Sequence, residues 1–323
     1  MYYPPRVKTK AIAELTRRRT KAEREYQIRR AEALEKIPGI AELEAKISSA
    51  GAELCRVIGM GDDALRLVEQ IKRDNLAAQR KERELLVKHG LAADAMRVRY
   101  ICPVCDDTGF GDDGKFCECH KILLKEFEHA RLSEMFPLDR FTFESFSLTY
   151  YPPEQRRQMR DTLETCREYA REYHLGLPGL FFYGEPGLGK THLSGAIINE
   201  VIKRGFGVEY GSVPVLLARL AKERFDSRSD NITERALLAA DLLVLDDLGA
   251  ESVNSFTLEA LYTIINTRLL KQLPTIVNSN CAAGELQERY GRRIASRLLY
   301  EGYETFCFTG MDIREKKTED MLP

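Results

Sequence analysis

Residues 184–191 read GEPGLGKT, set between an apolar run, GLFFY, and a stretch of helical character. The spacing G-x-x-x-x-G-K-[ST] holds phosphate only as a loop between a buried strand and a helix N-terminus, so it commits this part of the chain to a nucleotide-binding α/β unit. Gly184, Gly187 and Gly189 let the backbone wrap closely and aim N–H groups at phosphate oxygens, with the positive end of the following helix adding to the attraction. Lys190 then reaches the terminal phosphates, and the Thr191 hydroxyl suits magnesium. The nucleotide-holding set is Gly184, Glu185, Pro186, Gly187, Leu188, Gly189, Lys190 and Thr191, with His192 on the first helical turn.

The flanking pattern agrees. From about residue 155 the sequence alternates: helix 155–173, strand GLFFYG, helix 190–204, strand FGVEYGS, helix 213–225, strand DLLVLDDLG, helix 255–270, strand PTIVNSN. Such alternation predicts a parallel sheet with helices on both faces. DLLVLDDLG places two acids at the end of a buried strand, 56 residues after Lys190. Asp246 is the expected magnesium ligand and Asp247 the residue that orients or deprotonates the attacking water. An Asp-Asp-x-Gly turn is the plain alternative when the phosphate loop is ignored. At the end of TIVNSN, Asn280 is placed to reach the γ-phosphate or its water, and Asn278 competes for that role. Arg297 and Arg314 follow, and a guanidinium on the developing charge assists phosphoryl transfer, although chemistry alone equally suits two solvated arginines.

Upstream, residues 102–120 read CPVCDDTGFGDDGKFCECH, with two cysteine pairs either side of an eleven-residue loop. Cys102, Cys105, Cys117 and Cys119 supply four thiolates, which suits tetrahedral zinc, with His120 an alternative fourth ligand. The other cysteines, Cys55, Cys166, Cys281 and Cys307, stand singly and are expected to be ordinary half-buried thiols. A redox pair is the competing reading, but the strand-helix context of such motifs is missing.

Residues 10–90 carry no strand signal and predict three helices, broken at Pro38-Gly39 and at Gly59-Met60-Gly61, with Asp62 capping the third and His89-Gly90 ending it. Ile40, Leu43, Ile47, Leu54 and Ile58 form one apolar stripe. The first thirty residues hold ten lysines and arginines against three glutamates, a basic face that either meets phosphates or is simply solvated. RFTFESFSLTYYPP, residues 140–153, reads as an extended linker. No apolar run is long enough for a membrane span and the start lacks a secretion signal, so a cytoplasmic protein without membrane partners is expected. The net charge of −1 imposes no overall field, so any nucleic-acid affinity must be local.

At GEPGLGKT, LLVLDDLG, VNSN and ASRLL the chain resembles AAA+ ATPases of the DnaC/DnaI helicase-loader type, with the IstB transposition ATPases close by. The likeness covers about residues 141–315, and CPVCDDTGF with CEC resembles the Gram-positive and phage branch of the loaders. It implies an AAA+ parallel sheet flanked by helices over residues 136–323, a zinc-binding module over 96–135 and an all-α partner-binding arm over 1–95. It further implies Walker roles for the phosphate loop and for Asp246 and Asp247, a first sensor at Asn280, an arginine finger for the adjacent subunit at Arg297 and a second sensor at Arg314. Asp247 is one methylene shorter than the usual AAA+ glutamate. SVPVLLARLAKERF resembles the helical element that contacts single-stranded DNA in this clade, with Lys222 and Arg224 for phosphate and Phe225 for a base. Alternatively Phe225 packs inward.

The resemblance thus implies ATP, Mg2+ and Zn2+ as cofactors, and a replicative helicase hexamer, single-stranded DNA and further copies of the chain as partners. An IstB-like ATPase assisting transposition is the second reading, against which the cysteine motif weighs. A nucleotide-dependent scaffold that does not hydrolyse is the third.

Overall fold

The computed structural model describes residues 2–57, 64–225, 230–310 and 312–313. Arg314, and the expected helix break with Ile58, Gly59, Met60, Gly61 and Asp62, lie outside them. Two compact units are present: residues 12–120, and residues 1–11 together with 121–323.

The second unit is built on five parallel strands in the order β2-β3-β4-β1-β5. These are β1 (Gly179–Gly184), β2 (Val208–Ser212), β3 (Leu242–Leu248), β4 (Thr275–Ser279) and β5 (Tyr303–Phe308). Alternation along each strand covers both faces. Leu180, Phe182, Leu242, Val244 and Ile276 enter one core layer, packed by α5 (Pro153–Arg171) and α6 (Lys190–Lys203). Phe181, Leu243, Leu245 and Val277 enter the other, packed by α7 (Val213–Phe225), α9 (Ser255–Leu270) and α10 (Ala283–Tyr300). Strands buried on both faces need apolar residues at successive positions, which is why the inner strands β1, β3 and β4 carry apolar runs.

The parallel sheet flanked by helices is the architecture expected of a P-loop AAA+ unit, and three elements add to the predicted list. A short helix, α8 (Ile232–Ala239), precedes β3; α10 carries GRRIASRLLY; and β5 pairs with β1 from Gly179↔Tyr303 to Gly184↔Phe308. β5, YETFCF, lies at a sheet edge with Glu304 and Thr305 exposed, so it lacks the apolar run that marks the inner strands. The expected linker is also different. Two 3-10 turns, Leu138–Arg140 and Leu148–Tyr150, fold it, and Phe143, Phe146 and Tyr151 are buried in the first core layer.

The outer edge of β2 is occupied by side chains from a helix, α4 (Glu118–Ser133). Fully buried Glu128 accepts the Val208 N–H at 3.0 Å and the Arg131 Nε at 3.0 Å. Arg131 donates in turn to the Val208 carbonyl and, at 3.2 Å, to Glu209. These side chains satisfy the backbone N–H and C=O of Val208, groups that an edge strand otherwise presents to other chains.

The first unit contains three helices: most of α1 (Pro5–Lys36), then α2 (Ile40–Val57) and α3 (Ala64–Lys88), the last two packed together. Its apolar centre is Ala33, Ile37, Ile40, Leu86 and Ala95. The basic face of α1 is laced by short-range pairs, Arg17 and Arg18 on Glu14 and Arg19 on Glu23. The Arg17 and Arg19 pairs are largely open to solvent, and pairs of this kind contribute little stability. Among the described residues no helix is long and apolar enough to cross a membrane.

Candidate functional site: a phosphate loop and a cysteine cluster

The phosphate loop joins β1 to α6. Gly184, Gly187 and Gly189 take φ of 132°, 77° and 90°, a region that L side chains avoid, so the glycines in the motif are required by the backbone path. At Gly189 any Cβ would also lie 2.8 Å from the Tyr151 hydroxyl and 2.9 Å from the Phe146 ring. Tyr151 donates to the Leu188 carbonyl at 2.7 Å, and the Leu188 side chain is buried in the core layer below, so the loop is pinned from beneath. Glu185 and Pro186 are exposed. Lys190 is buried, its ammonium held by the carbonyls of Gly184 and Glu185 at 2.7 Å each.

Asp246 comes to the loop from β3, two strands away. Its Oδ1 accepts the Thr191 hydroxyl at 3.2 Å, the Asn278 amide at 2.8 Å and the Asp247 N–H at 3.1 Å, and its Oδ2 accepts the Tyr210 hydroxyl at 2.8 Å. Burial, followed by the neighbouring Asp246 charge, pushes the Tyr210 phenol well up, so it stays a donor. A register shift between Leu245 and Leu248 marks a bulge in β3. There Asp247 adopts φ of 57°, and its side chain is exposed while Asp246 points inward. Bulges re-aim side chains in this way beside active sites.

A cavity of roughly 540 Å³ opens over the loop. Pro186 to His192, Asp246, Asp247 and Asn280 line it, together with Phe136, Phe141, Phe146 and Tyr150. Phe141, Phe146 and Tyr150 come from the segment read as a linker, and Phe136 from just before it. Its sequence carried a signal, closely spaced Phe and Tyr, but no spacing rule ties such residues to a loop fifty positions later. The two asparagines separate cleanly: Asn278 is buried on Asp246, whereas Asn280 is exposed and lines the cavity beside Asp247. The His192 side chain bonds the Thr142 carbonyl at 2.9 Å and the Ser145 hydroxyl at 3.1 Å, and meets Phe141 and Phe146 edge-on, so it braces the aromatic wall.

Arg297 is not among the residues lining this cavity. It belongs to α10 and packs against α9, with Nε on Asn266 at 2.9 Å, Nη2 on the Tyr262 hydroxyl at 3.2 Å and the guanidinium 4.8 Å from the Tyr262 ring centre. At the end of α7, Phe225 is 87% exposed, so it is not a core residue. Lys222 is exposed, and Arg224 pairs with Glu259 at 3.2 Å above the Phe256 ring.

The Sγ atoms of Cys102, Cys105, Cys117 and Cys119 lie within 4.8 Å of one another, with Cys102–Cys117 at 3.7 Å and Cys105–Cys119 at 3.4 Å. Tetrahedral zinc with Zn–S near ~2.3 Å places its sulfurs about 3.8 Å apart, so the set fits that ion. The Gly109 N–H donates to Cys105 Sγ at 3.3 Å, and Asp107 folds back onto the amides of Ile101 and Cys102 at 2.8 and 3.0 Å, which orients the first pair. His120 is buried, bonded to the Gly109 carbonyl at 3.3 Å and packed on Phe116, and burial pushes its pKa down. All four thiols are free of disulfides. Cys166 and Cys281 are buried and Cys307 is half-buried, whereas Cys55 is exposed rather than half-buried.

The family model for the IstB-like ATP binding protein matches residues 125–299, more than half of the chain. This chain belongs to that family. Similar proteins include the replicative helicase loader DnaC of Escherichia coli (strain K12), 30% identical over 156 residues that are 47% of this chain and 62% of that one. The replicative helicase loader DnaI of Bacillus subtilis (strain 168) is 35% identical over 116 residues, 35% of this chain and 36% of that one. The chain therefore spans less than two thirds of the length of these relatives. Similar solved structures are those of the DnaC helicase loader, 25% identical with a TM-score of 0.47 over 54% of this chain and 99% of that one, and of DnaI, 26% identical with a TM-score of 0.45 over 55% and 93%.

Proposed function

We propose that the chain is an ATP-dependent loader of a replicative DNA helicase, acting in the cytoplasm. The observation that carries the enzymatic part is the convergence on one cavity of Lys190 and Thr191 from the phosphate loop, Asp246 and Asp247 from β3 and Asn280 from the end of β4. Thr191 and Asp246 offer oxygen donors 3.2 Å apart, a set that suits magnesium, which when bound neutralises charge on the β- and γ-phosphates. Lys190 holds the terminal phosphates, Asp247 orients the attacking water and Asn280 senses the γ-phosphate. Phe136, Phe141 and Phe146 form the wall against which the base rests.

Arg297 acts on nucleotide held by an adjacent copy, which accounts for its place outside its own cavity. Lys222, Arg224 and Phe225 bind single-stranded DNA, the cysteine cluster holds structural zinc, and the N-terminal helices grip the helicase. The loader assignment rests on the similarity to DnaC and DnaI. The second reading, an ATPase assisting transposition, is favoured by the family description, which names IstB.

Two measurements test the proposal. Phosphate release with single-stranded DNA should greatly exceed that of Lys190→Ala, and equal rates would remove the enzyme label. The full chain with ATP and the helicase of its own source should give one large complex by mass, whereas binding to a neighbouring transposase instead would favour the second reading.

A further inference from the structure

We propose that Tyr210 is a positioning residue that fixes the carboxylate of Asp246 for magnesium, an inference that rests on the nucleotide-binding reading above. Tyr210 lies on β2, a different strand from every residue assigned a role at the site. Its hydroxyl donates to Asp246 Oδ2 at 2.8 Å, while Thr191, Asn278 and the Asp247 N–H all come to Oδ1. The carboxylate is thus held at both oxygens. When the Thr191 hydroxyl turns to a metal ion, the Tyr210 bond keeps the second oxygen from rotating.

The phenol is itself held. Its ring sits 4.6 Å from that of buried Phe136, which stacks at 4.6 Å and 12° on Phe141. Hydrogen bonds to a charged acceptor are among the stronger ones and depend on direction, which is what positioning requires.

The test is Tyr210→Phe, which keeps the ring and removes the donor. Binding of a fluorescent, non-hydrolysable ATP analogue is titrated with MgCl2 in wild type, Tyr210→Phe and Tyr169→Phe. The last removes another buried phenol, one bonded to the Pro178 carbonyl away from the cavity. The magnesium concentration at half-saturation should rise about tenfold in Tyr210→Phe only, as expected for one lost charge-assisted bond. Analogue affinity in EDTA should stay at the wild-type value, and the unfolding temperature, read on the same samples, should fall by a similar amount in Tyr210→Phe and Tyr169→Phe, since each loses one buried hydrogen bond. A magnesium titration of Tyr210→Phe that superimposes on wild type overturns the proposal. Analogue binding by Lys190→Ala equal to wild type would overturn the nucleotide reading itself, and this proposal with it.

Discussion

The side-chain amide of Asn278 donates to Asp246 at 2.8 Å, while its carbonyl accepts the Ser194 hydroxyl at 2.8 Å, so one buried residue joins β4 to α6 beside the Asp246 carboxylate. Asn280, two residues on, makes the opposite choice and faces the cavity.

Those placements predict different failures. Asn278→Ala leaves Asp246 and Ser194 each short of a buried partner and should lower unfolding stability by about 2–4 kcal/mol. Asn280→Ala should leave stability within about 0.5 kcal/mol, as an exposed substitution does, yet slow hydrolysis strongly. Chemical denaturation and phosphate release on both variants check this.

If Arg297 acts as proposed, Arg297→Ala should lower hydrolysis by about a thousandfold, the lower end of the range for arginine fingers. Mixing it with Lys190→Ala, which binds no nucleotide but keeps its arginine, should restore hydrolysis well above the sum of the two alone. No restoration would place Arg297 on its own subunit's nucleotide or outside catalysis.

For the cysteine cluster, Cys105→Ser should lose bound zinc, whereas His120→Ala should keep one zinc per chain and lose stability only, because its ring is committed to Gly109 and Phe116. Zinc should also leave as pH falls, since thiolate ligands must be deprotonated to bind. Metal analysis after dialysis at stepped pH gives both results.

Phe225→Ala removes an exposed ring and should weaken single-stranded DNA binding by about 1–3 kcal/mol, the range for one stacked base, with ATP affinity unchanged. Fluorescence anisotropy with a labelled oligonucleotide measures it. A shift in unfolding temperature alone would argue for packing instead.

Buried Arg268 donates to Thr275, Leu237, Ala240 and Pro274 at 2.7–2.9 Å, tying the end of α8 to α9 and β4. Arg268→Ala orphans these acceptors and should cost at least about 3 kcal/mol, seen as a lower denaturation midpoint with the fold otherwise retained.

The sequence by itself determined the phosphate loop, the strand-helix alternation, the acid pair and the cysteine pairs. Each depends on residues close in the chain, where backbone conformation and spacing act directly. Tertiary structure decided the rest. β4 inserts between β1 and β3, so Asn278 faces Asp246 and Asn280 does not; β2 brings Tyr210 to the same carboxylate; and the segment read as a linker folds back to wall the cavity. Such neighbours follow from strand order and register, which are set by burying both faces of one sheet at once, and no local pattern carries that information.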